Sequence, residues 1–235
     1  MRISQTISNF GRFPLPKPAQ VSKQVAPTVN MPTEAKYSMG FTTGGLLLSE
    51  STRVAEVFLA VHDWTVVREK VIGQNLLQSR KTSTLTKLYQ EVVSRLKLLT
   101  EKECELLVSG LHREQCCLLW IALCKRYRFI FDFSTEVMHQ KYVHHNLSLT
   151  ADDYYAFFNE KSEWHPELAR LTQETQAKVR QVLTKALHDA DLIDRGNLIN
   201  PFLATKCFIE VLSEDSKNFL VALPISDSDI RGYCK

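Results

Sequence analysis

A run of nine apolar residues, Cys116 to Cys124, constrains the fold more than any other part of this 235-residue sequence. A helix built from these residues is apolar on every side, and such a helix lies buried inside a protein. At the helical rise of about 1.5 Å per residue the run spans only about 14 Å, whereas a bilayer crossing needs about 20 apolar residues. The run therefore predicts the buried central helix of a globular protein that does not enter a membrane.

The sequence after this run predicts a second helix that packs back on the first. A basic stretch from Lys125 to Arg128 comes first, and apolar residues then recur at three- and four-residue steps at Ile130, Phe133 and Val137. That spacing is typical of an amphipathic helix. Two helices joined by a positively charged corner form the predicted scaffold.

The rest of the chain predicts an all-α fold of two packed helical domains. Eight glycines and eight prolines leave long stretches without helix breakers. Residues 1–36 are rich in Pro, Ser and Thr and lack helical or strand periodicity, which predicts a flexible N-terminal extension. We place the N-terminal helical domain at residues 37–145 and the C-terminal helical domain at residues 150–235.

The C-terminal domain is compatible with a winged helix. A predicted helix from Thr172 to Ala190 is followed by two short apolar pairs around Asp194-Arg195-Gly196-Asn197, a pattern typical of a small β-hairpin. In a winged helix, the helix enters a major groove and the hairpin contacts the DNA backbone. A structural hairpin without a ligand is an equal alternative, because residues 151–235 carry 14 acidic against ten basic residues.

Positive charge is concentrated in residues 64–100, which hold seven Lys and Arg against two Asp and Glu. One helix is predicted from Trp64 to Leu77, and the next begins near Thr82 to Thr84. The short turn between them holds Arg80 and Lys81. Such a layout can bind phosphate, because free backbone N–H groups and the helix dipole point at the anion. A solvated basic face without a ligand is the alternative.

The candidate DNA-binding residues are chosen from charge and position alone. The first group lies on the two helices and their turn: Arg68, Lys70, Arg80, Lys81, Lys87, Arg95 and Lys97. The second group lies at the basic corner: Lys125, Arg126 and Arg128. The third group lies in the second domain: Lys178, Arg180, Lys185 and Arg195. No base-reading pattern accompanies them, so we expect little sequence specificity.

Catalytic and metal-binding motifs are not found in the sequence. It holds no H-E-x-x-H, Walker A, G-x-S-x-G or Rossmann fingerprint. The six cysteines lack zinc-ligand spacing, and three of them lie in the apolar run, which indicates buried reduced thiols. The N-terminus has no apolar stretch of signal-peptide length. We predict a cytoplasmic protein that is not an enzyme and has neither a cofactor nor a metal site.

Five ordered blocks of the sequence resemble the BrxA family, the small non-enzymatic proteins of bacteriophage-exclusion (BREX) defence islands. The blocks are Tyr37–Glu50, Val66–Leu77, Leu88–Leu99, Phe129–Val137, and Thr172–Val179 with Leu187–Ile193. The resemblance covers about residues 37–235. It implies an all-α, two-part protein that binds double-stranded DNA and acts against phage with the methyltransferase and other BREX components.

Two other functions fit the same sequence. A protein-interaction adaptor would use the basic patches to dock acidic surfaces of partners in the defence complex. A small helical RNA-binding protein would use basic corners in a similar way.

Overall fold

The computed structural model describes residues 36–42 and 45–233, and these residues are mainly helical, as predicted. The first half contains a short 3₁₀ turn (Gly40–Thr42) and the helices α1 (Leu48–Val61), α2 (Trp64–Gly73), α3 (Thr82–Leu96), α4 (Glu101–Ser109) and α5 (His112–Arg126). The middle is a continuous helical stretch composed of α6 (Arg128–Phe133), a π-helical segment (Ser134–His139) and α7 (Gln140–Val143).

The second half consists of shorter helices around one long helix. It contains α8 (Ala151–Trp164), α9 (Pro166–Ala169), α10 (Gln173–Asp189), α11 (Lys206–Val211), α12 (Glu214–Lys217), a 3₁₀ turn (Leu220–Ala222) and α13 (Asp227–Tyr233). Threonine side chains cap the two longest of these helices, since Thr150 accepts from the amide of Asp153 and Thr172 accepts from the amide of Thr175.

The buried central helix is confirmed. Every residue from Cys116 to Cys124 is at most 1% exposed. Within this run the indole N–H of Trp120 donates a 3.1 Å hydrogen bond to the carbonyl of Ala222, so α5 also anchors the C-terminal part of the chain. The predicted second helix follows as α6, which packs against α5.

An aromatic cluster fills the space between α6 and α8. Phe129 and Phe133 make edge-on contacts with Phe157, at ring-centroid distances of 5.3 and 5.4 Å. Tyr37 joins the cluster from the N-terminal side, where its hydroxyl donates to Asp132 at 2.7 Å and its backbone amide donates to Glu167 at 2.7 Å. The start of the described chain is thereby fixed to both halves of the protein.

The buried apolar side chains form one cluster that extends from Tyr37 to Ile230. The division into domains at residues 37–145 and 150–235 stays a prediction, and the buried residues of both ranges belong to this cluster. The predicted N-terminal extension lies outside the described residues, apart from Lys36.

The predicted wing is not formed. Residues 193–199 make a turn in which the Asp194 carboxylate accepts from the amides of Gly196 and Leu198, both at 2.8 Å. Isolated bridges join Ile193 to Ile199 and Ser148 to Leu198, but residues 36–42 and 45–233 contain no strand. The winged-helix-like second domain is therefore not supported, because a β-hairpin needs a ladder of pairs that these two bridges do not supply. Within the same described ranges no helix has the length and apolar character of a membrane span.

Candidate nucleic-acid interface

The turn between α2 and α3 has a defined shape. Asn75 adopts a left-handed backbone conformation, with φ of 48°, which asparagine tolerates better than most residues. Its side chain donates to the Ser79 carbonyl at 3.0 Å and accepts from the Ser79 amide at 2.9 Å. The Ser79 hydroxyl in turn donates to the carbonyl of Lys81 at 3.2 Å. These bonds fix the backbone that carries Arg80 and Lys81.

Helix α3 begins at Thr82, within the predicted range. Lys81 occupies the N-cap position and makes no side-chain hydrogen bond to the first turn of the helix. The side chains of Thr82, Ser83 and Thr84 are exposed there. The first turn thus presents three hydroxyl groups and the positive end of the helix dipole to solvent, next to two cationic side chains.

Six of the seven cations predicted on this segment are exposed: Arg68, Lys70, Arg80, Lys81, Lys87 and Lys97. None of the six forms an ion pair with another described residue. Within residues 64–97 the one exposed carboxylate belongs to Glu69. We call these six residues the α2–α3 basic surface.

Arg95 does not belong to this surface, so its prediction as a DNA-binding residue is not supported. It is 1% exposed. Its guanidinium donates to the carbonyls of Gly45 (3.2 Å) and Leu46 (3.1 Å) and to the carboxylate of Glu91 (2.8 Å). Because these donors are already used inside the protein, Arg95 stabilises the loop before α1 and is not a candidate for phosphate contact.

The basic corner is largely neutralised by its neighbours. The Lys125 side chain is 5% exposed and pairs with Asp215 at 2.7 Å, and its ammonium also donates to the carbonyl of Leu98 at 3.1 Å. Arg128 pairs with Asp132. Arg126 is the exposed cation of this group and packs over the ring of Tyr127 at 5.2 Å. Of the three predicted corner residues, Arg126 alone keeps a free charged end.

A chain of contacts joins Arg126 to α3. The hydroxyl of Tyr127, over which Arg126 packs, donates to Glu91 at 2.8 Å. Glu91 also pairs with the buried Arg95 one helical turn later. These contacts fix the end of α5 against α3.

The four predicted cations of the second half differ in their surroundings. Lys178 is exposed and donates to Gln181 at 3.2 Å, and Lys185 pairs with Asp189 at 2.8 Å. Arg195 is exposed in the turn that follows α10. Arg180 is partly buried, with its guanidinium carbon 5.6 Å from the centre of the Tyr155 ring. The role of these four residues in DNA binding stays a prediction.

Two features of the site were missed in the sequence. One is the clamp that Asn75 forms on the turn. The other is the contact of Lys97 with Trp64, whose ring centre lies 5.7 Å from the Lys97 ammonium. An asparagine between two apolar pairs is a signal for a left-handed turn residue, but no local pattern pairs Trp64 with a residue more than thirty positions later.

The buried thiols do not offer a nucleophile. Burial raises the pKa of Cys116 to about 11 and that of Cys104 to about 12, and burial also raises the pKa of Cys117 and Cys124. At neutral pH these side chains are thiols, whereas the thiolate is the reactive form. The described residues contain no cluster of His, Cys, Asp or Glu able to hold a metal ion.

The fold defines an all-α protein in which two consecutive helices and the turns that follow them carry six exposed cations. The BrxA family model matches residues 35–216, and the chain belongs to the BrxA family.

Two relatives are named as BrxA proteins. "BREX protein BrxA" of Escherichia coli O9:H4 (strain HS) is 30% identical over 160 residues, which cover 68% of this chain and 75% of the relative. "BREX protein BrxA" of Bacillus cereus (strain H3081.97) is 25% identical over 169 residues, which cover 71% of this chain and 84% of the relative.

A solved structure shares the fold. The crystal structure of an uncharacterized protein from Magnetospirillum magneticum aligns with this chain with a TM-score of 0.67 and 16% sequence identity. The alignment covers 81% of this chain and 98% of the Magnetospirillum chain.

Proposed function

We propose that this protein is an accessory protein of a BREX phage-defence system that binds double-stranded DNA through the phosphate backbone. One observation carries the proposal: residues 64–97 hold six exposed cations that form no ion pair with another described residue, and only one exposed carboxylate. Membership of the BrxA family supplies the defence context. We propose that the protein acts by binding and not by catalysis.

The placement of the cations favours contact with phosphates. Arg80 and Lys81 stand at the start of α3, where the helix dipole and the first-turn hydroxyl groups also favour an anion. Arg68, Lys87 and Arg126 are exposed as well and are proposed as further phosphate contacts. Because phosphates are the same at every base pair, binding through these residues gives little sequence preference.

A charge-reversal pair tests the proposal. Arg80→Glu with Lys81→Glu should weaken binding to a nonspecific DNA duplex by about tenfold or more in a gel-retardation assay at low salt, because two phosphate contacts are lost and two repulsions are gained. The matched control is Lys206→Glu with Arg231→Glu, which changes the net charge equally at two exposed sites outside the basic surface. Equal weakening by both pairs would show that overall charge, and not this surface, governs binding.

A second candidate function is that of an adaptor that contacts other BREX components without binding DNA. Two exposed leucines favour a protein contact, since Leu111 is 65% and Leu203 is 79% exposed. They flank the point where Arg113 donates to the Pro201 carbonyl at 2.6 Å. Co-purification of BREX components that survives nuclease treatment, with no retardation of pure DNA at low salt, would select the adaptor. Preference for structured RNA over duplex DNA in competition would select the RNA-binding alternative.

A further inference from the structure

Between α8 and α10 lies a small, partly enclosed cavity with a volume of about 50 Å³. Its apolar walls come from residues such as Phe133, Tyr154 and Leu183. Its polar wall consists of Thr150, Arg180, Thr184 and Asn197. No aspartate or glutamate lines it, so the one charged side chain at the cavity is the cation of Arg180.

The guanidinium of Arg180 contacts an aromatic ring, and one of its nitrogen atoms has no hydrogen-bond partner among the described residues. Its central carbon lies 5.6 Å from the centre of the Tyr155 ring. Its Nε atom is buried and has no hydrogen-bond partner among the described residues. An unsatisfied buried donor on a charged group costs stability, and a guanidinium is suited to bind a planar or tetrahedral oxyanion.

Thr184 and Asn197 can supply further donors, whereas the hydroxyl of Thr150 already donates to Asp153 at 2.8 Å. Asn197 lines the cavity, and its side-chain oxygen lies 3.1 Å from His188 Nε2, so that contact does not use its amide N–H groups. The nearby carboxylate of Asp153 is neutralised by Lys141 at 2.7 Å, and it does not line the cavity. Asp152 is exposed to solvent on the first turn of α8.

We infer that this cavity binds a single phosphate group, with Arg180 as its cationic ligand and with Thr184 and Asn197 as neutral donors. A single water molecule needs roughly 10–15 Å³ of cavity volume. A cavity of about 50 Å³ therefore has room for about four oxygen-sized groups, and a phosphate has four oxygen atoms. The site is distinct from the α2–α3 basic surface, whose residues do not line it. Its occupant is either free phosphate or the terminal phosphate of a monoester.

Thermal unfolding of the full chain tests the inference. The unfolding temperature is compared in inorganic phosphate and in chloride at equal ionic strength, and again with thymidine monophosphate against thymidine. A ligand at about a hundred times its Kd should raise the unfolding temperature by roughly 5 °C. A rise with phosphate alone identifies the free anion, and a rise with thymidine monophosphate as well identifies a monoester. No rise with either probe overturns the inference.

Variants locate the site. Arg180→Gln should weaken the phosphate affinity by about tenfold, because a charge-assisted hydrogen bond is lost. Thr184→Val preserves the shape of the side chain but removes one neutral donor, so it should weaken the phosphate affinity less than Arg180→Gln does. Lys178→Gln, at an exposed residue two positions before Arg180 on α10, is the control and should leave the affinity unchanged. Equal stabilisation of Arg180→Gln and the unmodified protein would overturn the assignment, whatever the outcome of DNA binding.

Discussion

Arg95 and Glu91, one turn apart on α3, form an ion pair inside the protein, with Nη2 of Arg95 2.8 Å from Oε1 of Glu91. The same carboxylate accepts from the Tyr127 hydroxyl at 2.8 Å. The guanidinium of Arg95 also donates hydrogen bonds to the carbonyls of Gly45 and Leu46. This network joins α3, the end of α5 and the loop before α1, so it helps to hold α3 in position.

Replacement of Arg95 by methionine should destabilise the protein by roughly 3 kcal/mol, because Glu91 and two carbonyls lose a buried partner. Urea unfolding followed by circular dichroism measures the change. Arg95→Lys keeps the charge but cannot reach the same set of acceptors, so it should recover only part of the loss. If Arg95→Met kept its stability and lost DNA affinity instead, the structural role given to Arg95 would be wrong.

The Asn75 clamp gives a second prediction. Asn75→Ala removes two hydrogen bonds to Ser79 and places alanine at a left-handed φ, which should cost about 1–2 kcal/mol. If the turn positions Arg80 and Lys81, DNA affinity should also fall by a few fold. Asn75→Gly is the matched variant, since glycine accepts the backbone conformation but cannot form the clamp. An affinity loss in both variants would assign the effect to the clamp, whereas unchanged affinity in both would separate the turn from binding.

Salt dependence tests whether the α2–α3 basic surface contacts phosphates, as proposed, and how many. The logarithm of affinity should fall against the logarithm of salt concentration with a slope of about −0.9 per phosphate contact on duplex DNA. Neutralising Arg80 and Lys81 to glutamine should therefore make the slope shallower by about 2. Lys206→Gln, at an exposed residue of α11, should leave the slope unchanged. Weaker binding with an unaltered slope would indicate a structural effect of the double change.

Glu103 predicts how stability depends on pH. This buried carboxylate accepts from the amides of Thr100 and Ser213, at 2.7 and 2.9 Å. Burial alone raises its pKa, but hydrogen bonds from Ser216, Thr100 and Ser213 and the charge of Lys125 outweigh burial, so the folded-state pKa lies below the ordinary value. The stability from Glu103 is then present above the unfolded-state pKa of about 4.3 and is lost as the pH falls through the lower folded-state pKa.

Glu103→Gln should accordingly cost about 1–3 kcal/mol at neutral pH, and the difference from the unmodified protein should shrink below about pH 4. Urea midpoints measured from pH 3 to pH 7 check both points. Glu105→Gln, an exposed neighbour on α4, is the control. A difference that stayed constant over the whole range would rule out the charged carboxylate as the source of the stability.

The sequence predicted those parts of the protein that local patterns determine. The apolar run of α5, the start of α10 near Thr172, and the start of α3 each depend on residues within a few positions. The all-α class followed from these patterns and from the scarcity of helix breakers.

The availability of each cation could not be predicted, because it depends on residues far apart in sequence. Lys125 is neutralised by Asp215, ninety positions later, and Arg95 is satisfied by carbonyls at Gly45 and Leu46. The wing prediction failed for a related reason. The turn around Asp194 is encoded locally, but strands need a paired neighbour, which the residues around Ser148 provide only as a single bridge.

The burial of Trp120 in α5 has a practical consequence for optical work on this protein. Its indole is fully buried and bonded to Ala222, so it should emit at short wavelength in the native state and shift to longer wavelength when the chain opens. Trp164 is 79% exposed, and its emission should change little. Intrinsic fluorescence thus offers a label-free signal of core opening.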